Sequence, residues 1–227
     1  MTSPINQTAL NLFAPIAHDY GVWSRVLSFG QDPRWRNAMV SQLALPAGAR
    51  ILDVAAGTGE VTRLLQQRGY TVISLDQSPE MLAQAVREGA VATIARAEKL
   101  PFPSDCFDGL TFTYLLRYVD DPLSCMVELA RIVRPHGMVG MVEFGRPRGI
   151  WGAFWFFYTR LCLPLAGKCV GRGWHRVGSF LGPNIDDFWQ HFPDNTLPQL
   201  WESAGFTEVT MDRKSLGGGV IMTGRKT

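Results

Sequence analysis

The 227-residue chain has little of several things that mark whole classes of protein. It has 4 cysteines, Cys106, Cys125, Cys162 and Cys169, and no two of them form a C-x-x-C pair. That spacing speaks against zinc or iron–sulfur ligation, so no metal site is expected. A chain of this length also needs no disulfide framework, and idle thiols in a reducing compartment follow. Charged residues make up 19% of the chain, and 22 Lys and Arg against 20 Asp and Glu leave a net charge of +2 without any Lys/Arg block. A nucleic-acid partner would leave a basic footprint, and none is present. No uninterrupted apolar run approaches the roughly 20 residues needed to cross a bilayer. Residues 1–10 lack both a basic patch and an apolar core, so no signal peptide is expected. Internal repeats and low-complexity segments are also absent. What the chain does have is apolar and aromatic: 46% hydrophobic residues, with 13 Phe, 7 Trp and 5 Tyr. A chain of this size and composition folds around its own core.

Residues 1–48 read as helical and irregular, broken at Pro4, Pro15, Pro33 and Pro46, and form an N-terminal helical cap. From residue 49 the pattern alternates. Apolar runs at 49–54, 71–75, 90–94, 107–113 and 138–144 predict strands. Val61, Leu64 and Leu65 recur at helical spacing up to Gly69, and Ser78-Pro79 reads as the N-cap of a helix over 81–88. A further helix is expected over 122–133, closed by Arg134, Pro135, His136 and Gly137. Residues 207–211 and 218–223 suit a closing hairpin. Strands alternating with helices predict an α/β fold: a doubly wound, mostly parallel seven-stranded sheet of Rossmann-like type over 49–227.

The chemistry is concentrated where the first strand ends, at Asp53-Val54-Ala55-Ala56-Gly57-Thr58-Gly59-Glu60. Strand, glycine turn, helix is the arrangement that holds a nucleotide-like ligand at the switch point of such a sheet. Gly57 and Gly59 let backbone approach the ligand. Asp76, ending the second strand, stands where an acid accepts hydrogen bonds from a ribose diol. A nicotinamide dinucleotide wants a third glycine and a helix start free of negative charge for its pyrophosphate. Here Thr62 takes the third position and Glu60 stands in the turn. A carboxylate there repels phosphate and suits S-adenosyl-L-methionine, which carries a sulfonium and an amino-acid end but no phosphate.

These residues resemble the class I S-adenosylmethionine-dependent methyltransferases and, more narrowly, the C-methyltransferases of ubiquinone and menaquinone biosynthesis. Residues 52–60 are similar to the family's L-D-V-A-G-G-T-G-D. Residues 75–82 resemble its D-x-S-x-x-M-L stretch, and residues 97–103 with Phe107-Asp108 its A-E-x-L-P-F segment. Residues 129–137 loosely match F-R-V-L-K-P-G-G. Val142-Glu143-Phe144 with Pro147 resembles L-E-F-S-x-P. Tyr20, Ser28, Gly30 and Trp35 keep the spacing of the upstream motif. The resemblance implies cofactor contacts at Thr58, Asp76, Arg96, Ala97 and Thr113, and the residues around these motifs, Asp53, Ala55, Gly57, Gly59, Gln77, Met81 and Glu98, are expected to join them. Arg96 replaces the family's Asp or Asn. Arginine only donates, so adenine recognition there must differ. Gly21 and Ser24 replace the family's Asp and Asn, and Leu115-Leu116-Arg117-Tyr118-Val119-Asp120 departs from its G-L-R-N-V-T-D.

The implied activity is methyl transfer to a lipophilic small molecule, foremost ring C-methylation of a prenylated quinol of the demethylmenaquinol or benzoquinol type. O- or N-methylation of another hydrophobic metabolite, and a catalytically inactive binding subunit, stay open as alternatives. Arg117 is the candidate for stabilising a phenolate, and His18 and Tyr20 are candidate proton carriers. Glu143 ends a strand at the ligand edge. Residues 146–195 form an aromatic-rich helical insertion, with six aromatics between Trp151 and Tyr158. It is either a core helix packed on the sheet or a substrate lid and membrane-contact segment. In the second case residues 150–176, including Arg160, Lys168, Arg172 and Arg176, meet the membrane surface. The expected location is cytoplasmic, peripheral at the inner face of the membrane.

Overall fold

A computed structural model describes residues 4–193 and 196–227. Seven strands form one sheet: β1 (Arg50–Val54), β2 (Thr71–Asp76), β3 (Val91–Ile94), β4 (Phe107–Thr113), β5 (Val133–Phe144), β6 (Phe206–Lys214) and β7 (Gly219–Lys226). Their order is β3-β2-β1-β4-β5-β7-β6. The first five strands run parallel, and β7 runs antiparallel between β5 and β6. The order reverses between β1 and β4, which opens a crevice beyond their C-terminal ends.

Side-chain alternation along β1 builds a core on each face. Ile51 faces Met39, Val40 and Leu65 from α3 (Gln31–Gln42) and α4 (Glu60–Gln67). Leu52 and Val54 join Met126, Leu129 and Trp201 from α6 (Pro122–Ile132) and α10 (Thr196–Ser203). In α5 (Pro79–Arg87), Ser78 caps the helix by accepting from the Met81 N–H at 3.3 Å, with Pro79 in the first turn.

Two local expectations are corrected. Residues 134–137 do not close a helix but belong to β5. Pro135 cannot continue α6, and Val133 pairs with Phe107 before a register shift brings Met138 opposite Gly109. Pro33 does not break the N-terminal region. It lies in the first turn of α3, where its missing N–H has no intrahelical partner to lose.

The insertion consists of α7 (Gly149–Phe157), a π-helical turn (Tyr158–Cys162), α8 (Leu163–Val170) and α9 (Arg172–His191). α9 packs beneath the N-terminal helix α1 (Pro4–Phe13), which α2 (Tyr20–Leu27) follows, and Leu12 and Ile16 share a cluster with Trp174 and Val177. Cap and insertion thus form one roof over the C-terminal edge of the sheet. α7 is not a core helix, because none of its residues is fully buried, and Phe154, Phe156 and Phe157 are 60%, 59% and 56% exposed. No helix among the described residues is long and apolar enough to cross a membrane.

Candidate active site

The turn after β1 carries the backbone into the left-handed region at Ala55 (φ 52°), Gly57 (φ 56°) and Gly59 (φ 84°). A Cβ on Gly57 would come within 3.2 Å of Met81 Cε, so glycine keeps this stretch close to the opposite wall. Asp76 ties the turn down: Gly57 N–H donates to Oδ2 and Ser78 N–H to Oδ1, each at 2.9 Å. Burial pushes the Asp76 carboxyl up, and these backbone donors pull it back. Each carboxylate oxygen retains a lone pair for a ribose hydroxyl.

A cleft runs over this turn, lined by Ala55, Gly57, Thr58, Asp76, Gln77, Met81, Ala97, Glu98 and Thr113 among the residues singled out from the sequence. Gln77 Oε1 is buried there without a hydrogen-bond partner among the described residues, an acceptor left for a ligand. These groups fit S-adenosylmethionine: an acid for the diol, unspent acceptors, and at the head of α4 an acid where a pyrophosphate would need bare N–H groups.

Three expected contacts lie off the cleft. Asp53 turns under the sheet, where Thr62 and Thr111 donate to its two oxygens at 2.7 and 2.9 Å. Burial pushes its carboxyl up to about 6, with the two hydroxyls working against it. Gly59 backs onto Ala85, whose Cβ lies 3.0 Å from where its own would stand. Arg96 pairs with Glu98 at 2.9 Å and is partly exposed. Glu98 also accepts from Asn6 Nδ2 at 2.8 Å. Burial opposes the Glu98 charge, but these partners hold its carboxyl below the ordinary value. The acceptor group at this end of the cleft is therefore Glu98, closed in by α1. The sequence reading missed Asn6, Phe13, Arg36, Tyr114 and Tyr118, which also line the cleft. Arg36 had a legible signal, a charge on the helix face that buries Met39 and Val40.

A second cavity of about 420 Å³ opens beside the cleft. Its walls are aromatic and apolar: Trp35, Phe144, Trp151, Trp155, Trp174, Val177 and Leu181. The two spaces share Phe13, Tyr20 and Tyr114. Arg117 is the cation of this second cavity. Its Nε donates to Glu143 at 2.8 Å and its Nη1 to Asn184 at 2.7 Å, and both members of the ion pair are 1% exposed. Burial pushes the Glu143 carboxyl up against the pull of Arg117. Asp32 is the cavity's anion. It accepts from Arg36 Nε at 2.8 Å and from the Tyr114 hydroxyl at 2.5 Å. Burial pushes Tyr20 up to about 12, so its hydroxyl stays protonated at neutral pH. His18 lines neither space and is 79% exposed beside Asp19. The structure thus brings Arg117 and Tyr20 to one place and leaves His18 outside it.

A switch-point cleft with a ribose-type acid and a second chamber at its far end defines a methyltransferase-type site. The fold agrees. A Thermotoga maritima structure described as a SAM-dependent methyltransferase, possible histamine N-methyltransferase, superposes with a TM-score of 0.67 over 96% of this chain and 99% of that one, at 20% identity. Haemonchus contortus phosphoethanolamine N-methyltransferase 2, in complex with S-adenosyl-L-methionine, gives 0.61 over 85% and 52% at 13% identity. At these identities the likeness concerns the fold alone.

The chain matches the ubiE/COQ5 methyltransferase family over residues 1–226 and belongs to it. It is a methyltransferase. A demethylmenaquinone methyltransferase of Tropheryma whipplei (strain Twist) is 31% identical over 91% of this chain and 86% of its own length. A protein of Desulfotalea psychrophila named ubiquinone/menaquinone biosynthesis C-methyltransferase UbiE is 32% identical over 91% and 85%.

Proposed function

We propose that the enzyme methylates a ring carbon of a prenylated quinol. The observation that carries this reading is the aromatic cavity with Arg117 in it, joined to the cofactor cleft at Phe13, Tyr20 and Tyr114. The names of the relatives support the same substrate class. S-adenosylmethionine, when bound, supplies an electrophilic methyl group. The protein must present a nucleophilic carbon to it at about 3–3.5 Å. A quinol hydroxyl has a pKa of about 10, and losing its proton pushes charge onto the ring carbon. Arg117, fixed by Glu143 and Asn184, favours that phenolate without moving. Trp35, Phe144 and Trp174 offer flat apolar walls to ring and tail. Tyr20, protonated, is a donor at the junction and not a base.

The same reading places the lipophilic acceptor's tail along α7 and the protein's exposed aromatics against a membrane surface. Trp151 and Phe154 line the cavity and are also 48% and 60% exposed, which supports a mouth that opens onto lipid.

The test is incubation of the purified enzyme with methyl-labelled S-adenosylmethionine and reduced short-tailed benzoquinols and naphthoquinols. The product is located by mass spectrometry. Label on a ring carbon is the expected result and names the ring. Label on oxygen or nitrogen, or none with S-adenosylhomocysteine still bound, overturns the quinol reading.

A further inference from the structure

The lining of the acceptor cavity holds one acid and one arginine among the described residues, Asp32 and Arg117. Arg117 only donates, and a donor serves a phenolate and a quinone carbonyl alike. Asp32 is the group that can tell one from the other. It does not line the cofactor cleft, so its charge faces the acceptor side.

Burying a carboxylate is costly unless its charge is answered. Asp32 is 3% exposed and sits in the first turn of α3, where a helix N-terminus favours an anion. Its own N–H donates to Ser28 Oγ at 3.2 Å. Its two side-chain donors, Arg36 Nε and the Tyr114 hydroxyl, both land on Oδ1. Oδ2 has no hydrogen-bond partner among the described residues, which leaves one whole oxygen as an acceptor for a ligand in the cavity.

Tyr114 is set to make this contact. Its backbone is left-handed (φ 57°), a conformation that a bulky residue rarely adopts. Its ring stacks on Phe144, with centroids 4.4 Å apart and 16° between the planes. The Arg117 guanidinium lies 5.9 Å from the centre of the same ring. Anion and cation therefore stand about one tyrosine, the acid at its hydroxyl and the arginine by its ring. A para-quinol carries its two oxygens at opposite ends of one ring, and such a pair suits it.

We propose that Asp32 reads the oxidation state of the acceptor. One quinol oxygen, as the phenolate, lies on Arg117, and the other, still O–H, donates to Asp32 Oδ2. A quinone has only carbonyl acceptors, so its second oxygen would meet Asp32 lone pair to lone pair. A buried acceptor left without its donor is what lets a polar site reject a ligand that lacks one hydroxyl. Asp32 is thus a specificity residue: it admits the reduced ring and excludes the oxidised one, which has no electron-rich carbon to methylate. The proposal rests on the quinol reading and deepens it.

The experiment is calorimetric binding, under nitrogen and at saturating S-adenosylhomocysteine, of a short-tailed naphthoquinol, its quinone, and the matching naphthol that lacks one hydroxyl. The wild-type enzyme is expected to bind the quinol about 100-fold more tightly than either other ligand. In Asp32→Asn the amide donates as well as accepts, so quinone affinity should rise about tenfold and the preference for quinol over quinone should shrink to about threefold. A residue that only braced the fold would improve the binding of no ligand. Tyr114→Phe keeps the carboxylate and should keep the preference. Asp32→Asn leaves Arg36 buried without its ion partner, so Asp32→Asn/Arg36→Gln repeats the measurement with both charges gone. Equal wild-type binding of quinol and quinone, or equal weakening of both by the Asp32 variants, overturns the assignment and leaves the quinol reading standing. Binding of none of the three rings by the wild-type enzyme means that the quinol reading fails, and the assignment falls with it.

Discussion

Two aspartates end neighbouring strands and do unlike work. Asp76 turns its carboxylate to the cleft, whereas Asp53 is locked beneath it by Thr62 and Thr111. The sequence made Asp53 look like a ligand residue because it precedes the glycine turn. Its alternation with Leu52 and Val54 already put it on the face of Ile51, towards α4. The folded-state pKa of Asp53, about 6, is above the carboxylate's ordinary value of 3.8, and burial is the main cause. The folded protein therefore holds this proton more tightly than the unfolded chain does. The associated stability is fully present below the unfolded value and is lost as pH rises through about 6. Asp53→Asn has no such loss. Its stability relative to wild type should improve by up to about 3 kcal/mol between pH 4 and pH 7, as read from urea unfolding at each pH. A difference independent of pH would mean that Asp53 titrates like an exposed carboxylate. S-adenosylhomocysteine affinity should change less than threefold, because the group does not reach the cleft.

Among the elements, every strand of the sheet was legible, since short apolar runs and the turns between them leave few alternatives. The roof was legible only as an anomaly. Residues 150–158 are apolar all round, and such a run has no period from which a buried face can be read. What orders the roof is a close contact between α8 and α9 that single-residue patterns do not reveal. A Cβ on Gly178 would stand 2.7 Å from the Leu163 carbonyl oxygen. Gly178, Leu163 and Val177 also line the acceptor cavity. Gly178→Ala should therefore push the helices apart and cost about 1–3 kcal/mol, measured by denaturant unfolding. It should raise the KM for the acceptor several-fold and leave S-adenosylhomocysteine binding unchanged. Unaltered stability would show that the two helices have slack at this crossing.

At the scale of the whole molecule, the cofactor cleft and the acceptor cavity adjoin, and several exposed hydrophobics gather at the second of them. Phe29, Trp151, Phe154 and Leu216 line the acceptor cavity while remaining 74%, 48%, 60% and 63% exposed. Phe156 and Phe157, also on α7, are exposed and lie away from that lining. Arg146 and Arg148 enter α7 from one end, and Arg160 follows it at the other, bonded to Asp186 at 2.7 Å. Apolar side chains flanked by cations suit an anionic lipid surface. Fully burying a Phe is worth about 1.5–3 kcal/mol, and a tenfold change in affinity corresponds to about 1.4 kcal/mol. Phe156→Asp/Phe157→Asp should therefore lower partition onto anionic vesicles by at least about 100-fold, measured by co-sedimentation. Wild-type partition should also fall as salt screens the arginines. Neither residue touches either cavity, so turnover of a short-tailed acceptor in solution should stay within threefold. Turnover of a long-tailed acceptor embedded in the vesicle should collapse, because the mouth no longer meets the phase that holds its substrate. Equal partition of variant and wild type would mean that α7 faces water or another protein, and that the tail reaches the cavity by a different route.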